Sequence, residues 1–275
     1  MCALHRREDI TRLGAYSRGT EGASSPRVES SVVLITGALT GIGRATAVAF
    51  ARTGARVVVS GRRPDVGFTL AEELRSTGGA AEFVAADVRL EEDVANLIDR
   101  ALTCYGSLDV AVNNAGTEGK RGPLTAMTTD DYEAVFDTNV LGLFLCMKYE
   151  MRVMLRQGHG SIVNISSIFG SRGAPEAALY AASKHAVEGL TQAAALEVAD
   201  RGIRVNAIAP GLIDTGMLER FSGTAQAKKD FVATEPVHRA GRPEEIADAV
   251  VFAASEHASF MTGATLAVDG GLQAR

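Results

Sequence analysis

The chain has no apolar run that reaches the roughly 20 residues a bilayer crossing takes, so no membrane span is expected. Its cysteines are few: Cys2, Cys104 and Cys146 lie far apart with no CxxC spacing. An odd, sparse count argues against a disulfide framework and predicts reduced thiols in a cytoplasmic protein. There is no basic excess either. Against 28 Lys and Arg stand 33 Asp and Glu, a formal charge of -5, which argues against the basic stripe of a nucleic-acid binder. The five histidines form no HExxH or paired-ligand pattern, so no metal site is expected. What is present is the composition of a folded domain, 46% hydrophobic and 22% charged, and 275 residues suffice for one large α/β unit.

Residues 1–31 differ from the rest. They are rich in Arg, Ser, Gly and Glu, lack apolar periodicity, and read as a disordered N-terminal tail. Five Arg stand beside four acidic residues with no apolar h-region, which excludes an ordinary signal peptide and speaks against a transit peptide. Removing Met1 to Glu29 is expected to leave folding and activity unchanged.

From Val32 on, two periods alternate. Short β-branched runs predict seven strands, at 32–36, 56–60, 81–85, 108–112, 161–165, 203–208 and 264–268. Between them Val94, Leu97, Ile98, Ala101, Leu102 and Tyr105 form one apolar stripe at helical spacing. Helices are also expected over about 130–157 and 180–201, and Pro243-Glu244-Glu245 reads as a helix start. Strand–helix alternation of this kind predicts a single α/β domain over 32–275, a Rossmann-type doubly wound, seven-stranded parallel sheet with helices on both faces.

The first strand runs into Thr36-Gly37-Ala38-Leu39-Thr40-Gly41-Ile42-Gly43. Glycines between a strand and a helix let backbone N–H groups approach a pyrophosphate, whose charge the helix N-terminus favours. In a chain with 29 glycines the spacing alone is weak; its place after the first strand strengthens it. Further on, Tyr180 and Lys184 stand at i and i+4, one face of a helix, so an ammonium can sit beside a phenol. A close cation lowers a phenol from its ordinary value of about 10 toward the range of general acid–base work. Taken alone, such a pair usually decorates a solvated helix face.

The glycine turn, Asp87, Asn113-Asn114-Ala115-Gly116, Asn139, Ser166-Ser167, Tyr180-x-x-x-Lys184 and Pro210-Gly211 occur together and in order. From about Val32 to Gly271 the chain resembles the classical short-chain dehydrogenase/reductase family. That resemblance implies an NAD(P)-dependent oxidoreductase moving a hydride between a nicotinamide and an alcohol/ketone pair. It implies Tyr180 as general acid/base, and Lys184 as the partner that lowers the phenol and holds the nicotinamide ribose. Ser167, thirteen residues before the tyrosine and therefore preferred over Ser166, would bond the substrate oxygen, and Asn139 would support a proton-relay water. Cofactor contacts are implied for Gly37, Leu39, Thr40, Gly41, Ile42 and Gly43 in the turn, and for Asp87 with Val88 near the adenine. They are implied as well for Asn114, Ala115 and Gly116 after the fourth strand, and for Pro210, Gly211, Ile213 and Thr215 near the carboxamide. Residues from about 213 to 236 correspond to a mobile substrate lid with Met217, Leu218, Phe221 and Phe231 lining it. The resemblance further implies a homotetramer and a small carbonyl or alcohol substrate.

Two positions depart from the family pattern. Leu39 replaces a small or polar residue beside the adenosine ribose, and Glu29-Ser30-Ser31 lacks the usual Gly-Lys. At the end of the second strand, where an acid selects NAD, stands Gly61 followed by Arg62. This favours NADP(H) and leaves NAD(H) open. Two other readings remain at this point, an epimerase-type relative and a redox-sensing NADP-binding regulator. The glycine spacing disfavours the first, and retention of Ser167, Tyr180 and Lys184 disfavours the second.

Overall fold

The computed structural model describes residues 30–274. The tail reading of residues 1–29 lies outside these. Ser30 and Ser31 belong to the domain: their carbonyls accept from the Arg56 guanidinium at 2.8 Å and from the Arg56 amide at 2.9 Å.

Seven parallel strands form one sheet in the order β3-β2-β1-β4-β5-β6-β7. They are β1 (Val32–Thr36), β2 (Arg56–Gly61), β3 (Ala80–Ala85), β4 (Val110–Asn113), β5 (Gly160–Ile165), β6 (Ile203–Pro210) and β7 (Thr265–Val268). All five residues of β1 are buried, as a central parallel strand covered on both faces requires. On one face α1 (Gly41–Arg52), α2 (Pro64–Ser76) and α9 (Pro243–Ala254) close a core around Phe50, Leu70 and Ile246. On the other, α3 (Glu91–Tyr105), α5 (Gly142–Gln157) and α6 (Ala178–Val198) bury Leu97, Met154 and Val187. The strand order reverses between β1 and β4, which opens a crevice at the carboxyl ends of the strands. No described helix is long and apolar enough to cross a membrane.

The helix expected over about 130–157 is broken. α4 (Thr129–Phe136) starts in a capping box between Thr128 and Asp131, a wide π turn takes residues Asp137–Leu141, and only then does α5 begin. Wide turns of this kind concentrate at functional sites, and here the buried residue within it is Asn139. The helix expected over 180–201 starts two residues earlier and ends at Val198, with a 3-10 turn over Ala199–Arg201. Beyond β6, α7 (Gly216–Ser222) and α8 (Ala225–Ala233) form the segment expected to be the lid. Its base is stitched shut: Ile213 bridges Gly241, and the Asp214 amide donates to the Gly241 carbonyl at 2.8 Å.

Candidate active site

The glycine turn is built by close approach. Gly37 has φ +62°, and a Cβ on it would stand 2.7 Å from the Ala115 Cα. The Asn114 side chain braces the turn by donating to the Gly37 carbonyl at 2.8 Å and the Thr36 carbonyl at 3.1 Å. In return the Thr36 hydroxyl accepts from the Asn114 and Ala115 amides, both at 3.2 Å. Thr40 precedes α1 without a side-chain cap, so the first-turn amides of Gly41, Ile42 and Gly43 lack a side-chain acceptor at the positive end of the helix.

Opposite this turn, α6 carries Tyr180 and Lys184 one turn apart, both buried. Ser167 stands just after β5, and its hydroxyl is hydrogen-bonded to the phenol. Ser166 is engaged elsewhere, donating to Glu188 at 2.9 Å. The Lys184 ammonium donates to the Ile165 carbonyl at 2.8 Å and lies 5.7 Å from the centroid of the Tyr180 ring.

Electrostatics here differ from the sequence expectation. Burial pushes the Tyr180 phenol up to about 12; the Ser167 bond pulls it down and the Glu118 carboxylate pushes it further up. Burial alone brings Lys184 down to about 8. Desolvation of both groups outweighs any help the cation gives the phenolate, because the ammonium is tied to a backbone carbonyl and not to the phenol oxygen. The arrangement holds a protonated phenol at neutral pH, the form that donates.

Asn139 sits behind this pair. Its amide oxygen accepts from the Thr117 amide at 2.8 Å, and its nitrogen donates to the Thr117 carbonyl at 2.9 Å and the Ser183 hydroxyl at 3.0 Å. It therefore ties the loop after β4 to α6 beside Lys184, and the two line one small cavity. At Gly116 a Cβ would come within 3.3 Å of the Asn139 amide oxygen and 3.7 Å of the Lys184 nitrogen, so a side chain there would crowd both.

A cleft joins these parts. Ile42, Asn114 and Gly116 border it on the glycine-turn side, Ser167, Tyr180 and Lys184 at its floor, and Pro210, Gly211, Ile213 and Thr215 beyond. A cradle whose glycines admit no Cβ, an uncapped helix N-terminus and a cleft reaching from there to Tyr180 fit a dinucleotide. Nine expected cofactor contacts do not line the cleft: Gly37, Thr40, Gly41, Gly43 and Ala115 in and beside the glycine turn, and Leu39, Arg62, Asp87 and Val88. Arg62 stands at the end of β2 with its side chain 69% exposed, 3.9 Å from Asp87. The Asp87 carboxylate is held by Arg89 at 2.6 Å, which keeps it below its usual range. Val88 packs beside Gly142 in the small cavity, and Leu39 is buried over Gly61. Of the expected lid residues, Met217, Leu218 and Phe221 line the cleft; Phe231 packs behind Phe221, ring centroids 6.0 Å apart.

A family profile described as enoyl-(acyl carrier protein) reductase matches residues 37–273. The chain is 43% identical over 243 residues to cis-4-hydroxycyclohexanecarboxylate dehydrogenase of Sinomonas cyclohexanicum, covering 88% of this chain and 96% of that one. It is 38% identical over 250 residues to cyclohexanol dehydrogenase of an Acinetobacter strain, covering 91% and 98%. A solved structure of a variant of actinorhodin polyketide ketoreductase with NADPH superposes with a TM-score of 0.85 at 36% identity, covering 88% of this chain and 97% of that one. The chain belongs to the short-chain dehydrogenase/reductase family. It is an oxidoreductase that transfers a hydride between a nicotinamide dinucleotide and an alcohol/ketone pair.

The contacts made by two groups in this dehydrogenase were not read from the sequence. Glu118, 7% exposed, lines the cleft and accepts from Arg220 of α7 at 2.6 and 3.2 Å, while Arg121 stacks on Phe221 with its guanidinium 4.8 Å from the ring centroid. These contacts latch α7 to the loop after β4; pairs some 100 residues apart leave no mark in local sequence. Beneath the site the fully buried Glu150 accepts from Asn113 at 2.9 Å, and Asn113 donates onward to Asn164 at 3.0 Å. Here a signal existed: Glu150 falls between Cys146, Met147, Val153 and Met154, a carboxylate on an apolar helix face.

Proposed function

We propose that the protein interconverts a small, largely apolar cyclic secondary alcohol and its ketone with NADP(H), Tyr180 carrying the proton. The observation that carries this reading is the convergence of Ser167, Tyr180 and Lys184 on a cleft that is also lined by Phe169, Leu212, Met217, Leu218 and Phe221. A lining that is mostly apolar around these polar groups favours a substrate with a hydrocarbon body and one reactive oxygen. The relatives named for cyclohexane alcohols support the same substrate class.

In reduction the Tyr180 hydroxyl donates its proton to the carbonyl oxygen, while the Ser167 hydroxyl bonds the same oxygen where negative charge develops. Lys184 places a positive charge beneath the site, and Asn139 fixes the loop and helix between which a relay water would stand. A bound nicotinamide supplies or accepts the hydride. Preference for NADP(H) is supported by Gly61 at the end of β2 and by the exposed Arg62 beside it, available for a 2′-phosphate because Asp87 is already held by Arg89. Two α-helices of the lid, held by Glu118 and Arg121, close over the substrate. Assembly into a homotetramer is supported by Tyr132, Leu141, Phe144 and Leu155, large apolar side chains left exposed on α4, α5 and the turn between them, and by the half-open edge of β7. Free Cys104 and Cys146 suit the reducing cytoplasm.

Titration of both reduced cofactors against Arg62→Ala tests the cofactor reading. Loss of a charge-assisted bond raises the NADPH dissociation constant by about ten- to a hundredfold and leaves NADH unaffected. Equal losses for the two, or a wild type that prefers NADH, would make the cofactor NAD(H). A panel of cyclic and acyclic ketones, read at the nicotinamide absorbance, tests the substrate class.

A further inference from the structure

The end of β2 lacks an acid, and it also lacks the room for one. A Cβ built on Gly61 would stand 2.7 Å from the Leu39 Cδ1 and 2.8 Å from its Cγ. Carbon atoms pack at about 3.5–4.0 Å, so any side chain at position 61 must first displace Leu39. Leu39 is 7% exposed and belongs to the core that includes Val59 of β2 and Leu70 of α2. Its side chain is the place where a buried apolar residue meets the cofactor-selecting end of the sheet.

We propose that Leu39 locks the cofactor preference of this enzyme, by filling the volume through which an acid at position 61 would reach the adenosine ribose. Positions 39 and 61 then act as one unit. Leucine with glycine leaves position 61 itself without a hydroxyl acceptor and without a negative charge. A small residue with an acid would supply both. The neighbouring charges agree with this division of labour: Asp87, the nearest carboxylate to Arg62 at 3.9 Å, is engaged by Arg89 at 2.6 Å, so Arg62 keeps its charge for an anion. The direction of the wild-type preference rests on the NADP(H) reading above. The coupling of 39 to 61 does not.

The test is a four-protein cycle of wild type, Leu39→Ala, Gly61→Asp and Leu39→Ala/Gly61→Asp, with dissociation constants for NADH and NADPH read from the fluorescence of the reduced nicotinamide. The chain has no tryptophan to interfere. Gly61→Asp alone is expected to gain little for NADH and to lower the melting temperature. The double variant is expected to bind NADH at least about tenfold more tightly than Gly61→Asp does, the worth of one hydrogen bond to a charged group, and to bind NADPH more weakly than wild type. Should Gly61→Asp fail to fold, recovery of folding in the double variant is the expected mark of the steric overlap, and failure of both counts against it. Equal NADH affinity for Gly61→Asp and the double variant would overturn the proposal. A wild type that prefers NADH would overturn the NADP(H) reading while leaving the cycle to decide the coupling on its own.

Discussion

Tyr180 and Lys184 are shifted by burial in opposite senses, and pH separates their effects. With the phenol pushed up to about 12, reduction, which uses the protonated form, holds its rate through neutral pH. Oxidation needs the phenolate, so its kcat climbs with pH across the whole range below that value. An oxidation profile that is flat from pH 6 to 9 in the pre-steady state would contradict a buried, protonated phenol. Glu150 gives a second titration, in stability. Burial raises it from 4.5 to about 7, so between those values the folded state holds a proton that the unfolded chain has released. Stability from this group is complete below pH 4.5 and is lost as pH rises through 7, by about 3 kcal/mol in all. Glu150→Gln cannot ionise. The melting temperature of the variant relative to wild type is therefore expected to rise between pH 5 and pH 8, as followed by circular dichroism. Of these residues Tyr180, Lys184 and Ser167 were legible from spacing and order, but the sign of the phenol shift was not. It depends on how deeply the pair is buried and on what Lys184 bonds, neither of which is local.

Elements were legible where one period dominates. Each predicted strand lies within two residues of an observed one, since a strand buried on both faces writes itself as a continuous β-branched run. The helix over about 130–157 misled because a wide turn adds a residue to one turn without breaking the apolar pattern around it. That turn earns its place by turning Asn139 toward Thr117 and Ser183. Among the contacts that hold α7 to the loop after β4 are Glu118–Arg220 and Arg121 on Phe221. Removing the Arg220 side chain leaves the buried Glu118 without its cation and loosens α7. Arg220→Ala is expected to raise KM about three- to tenfold with a smaller effect on kcat, a modest change because the Arg220 side chain is largely exposed and solvent screens its pairing with Glu118. Steady-state kinetics on the best cyclic ketone check it; an unchanged KM would mean that the lid is held by its apolar contacts alone.

At the scale of the whole molecule, the sheet delivers three separated segments of sequence to one cleft. The glycine turn comes after β1, Ser167 after β5, and Tyr180 with Lys184 from the helix that follows. The same sheet leaves β7 half-exposed at an edge, and the opposite helical layer leaves large apolar side chains uncovered. The proposed tetramer would bury both, and light scattering at micromolar concentration is then expected to give about four times the 28.8 kDa chain mass. A 28.8 kDa species alone would show that these surfaces stay open.

The assignment of Tyr180 as proton carrier is tested most directly by Tyr180→Phe, which keeps the ring and its edge contact with Phe169 and removes only the transferable proton. Turnover of a validated ketone is expected to fall by about 10²–10⁴-fold, with the NADPH dissociation constant unchanged in the same preparation. A variant that binds cofactor normally and retains near-normal turnover would contradict the assignment.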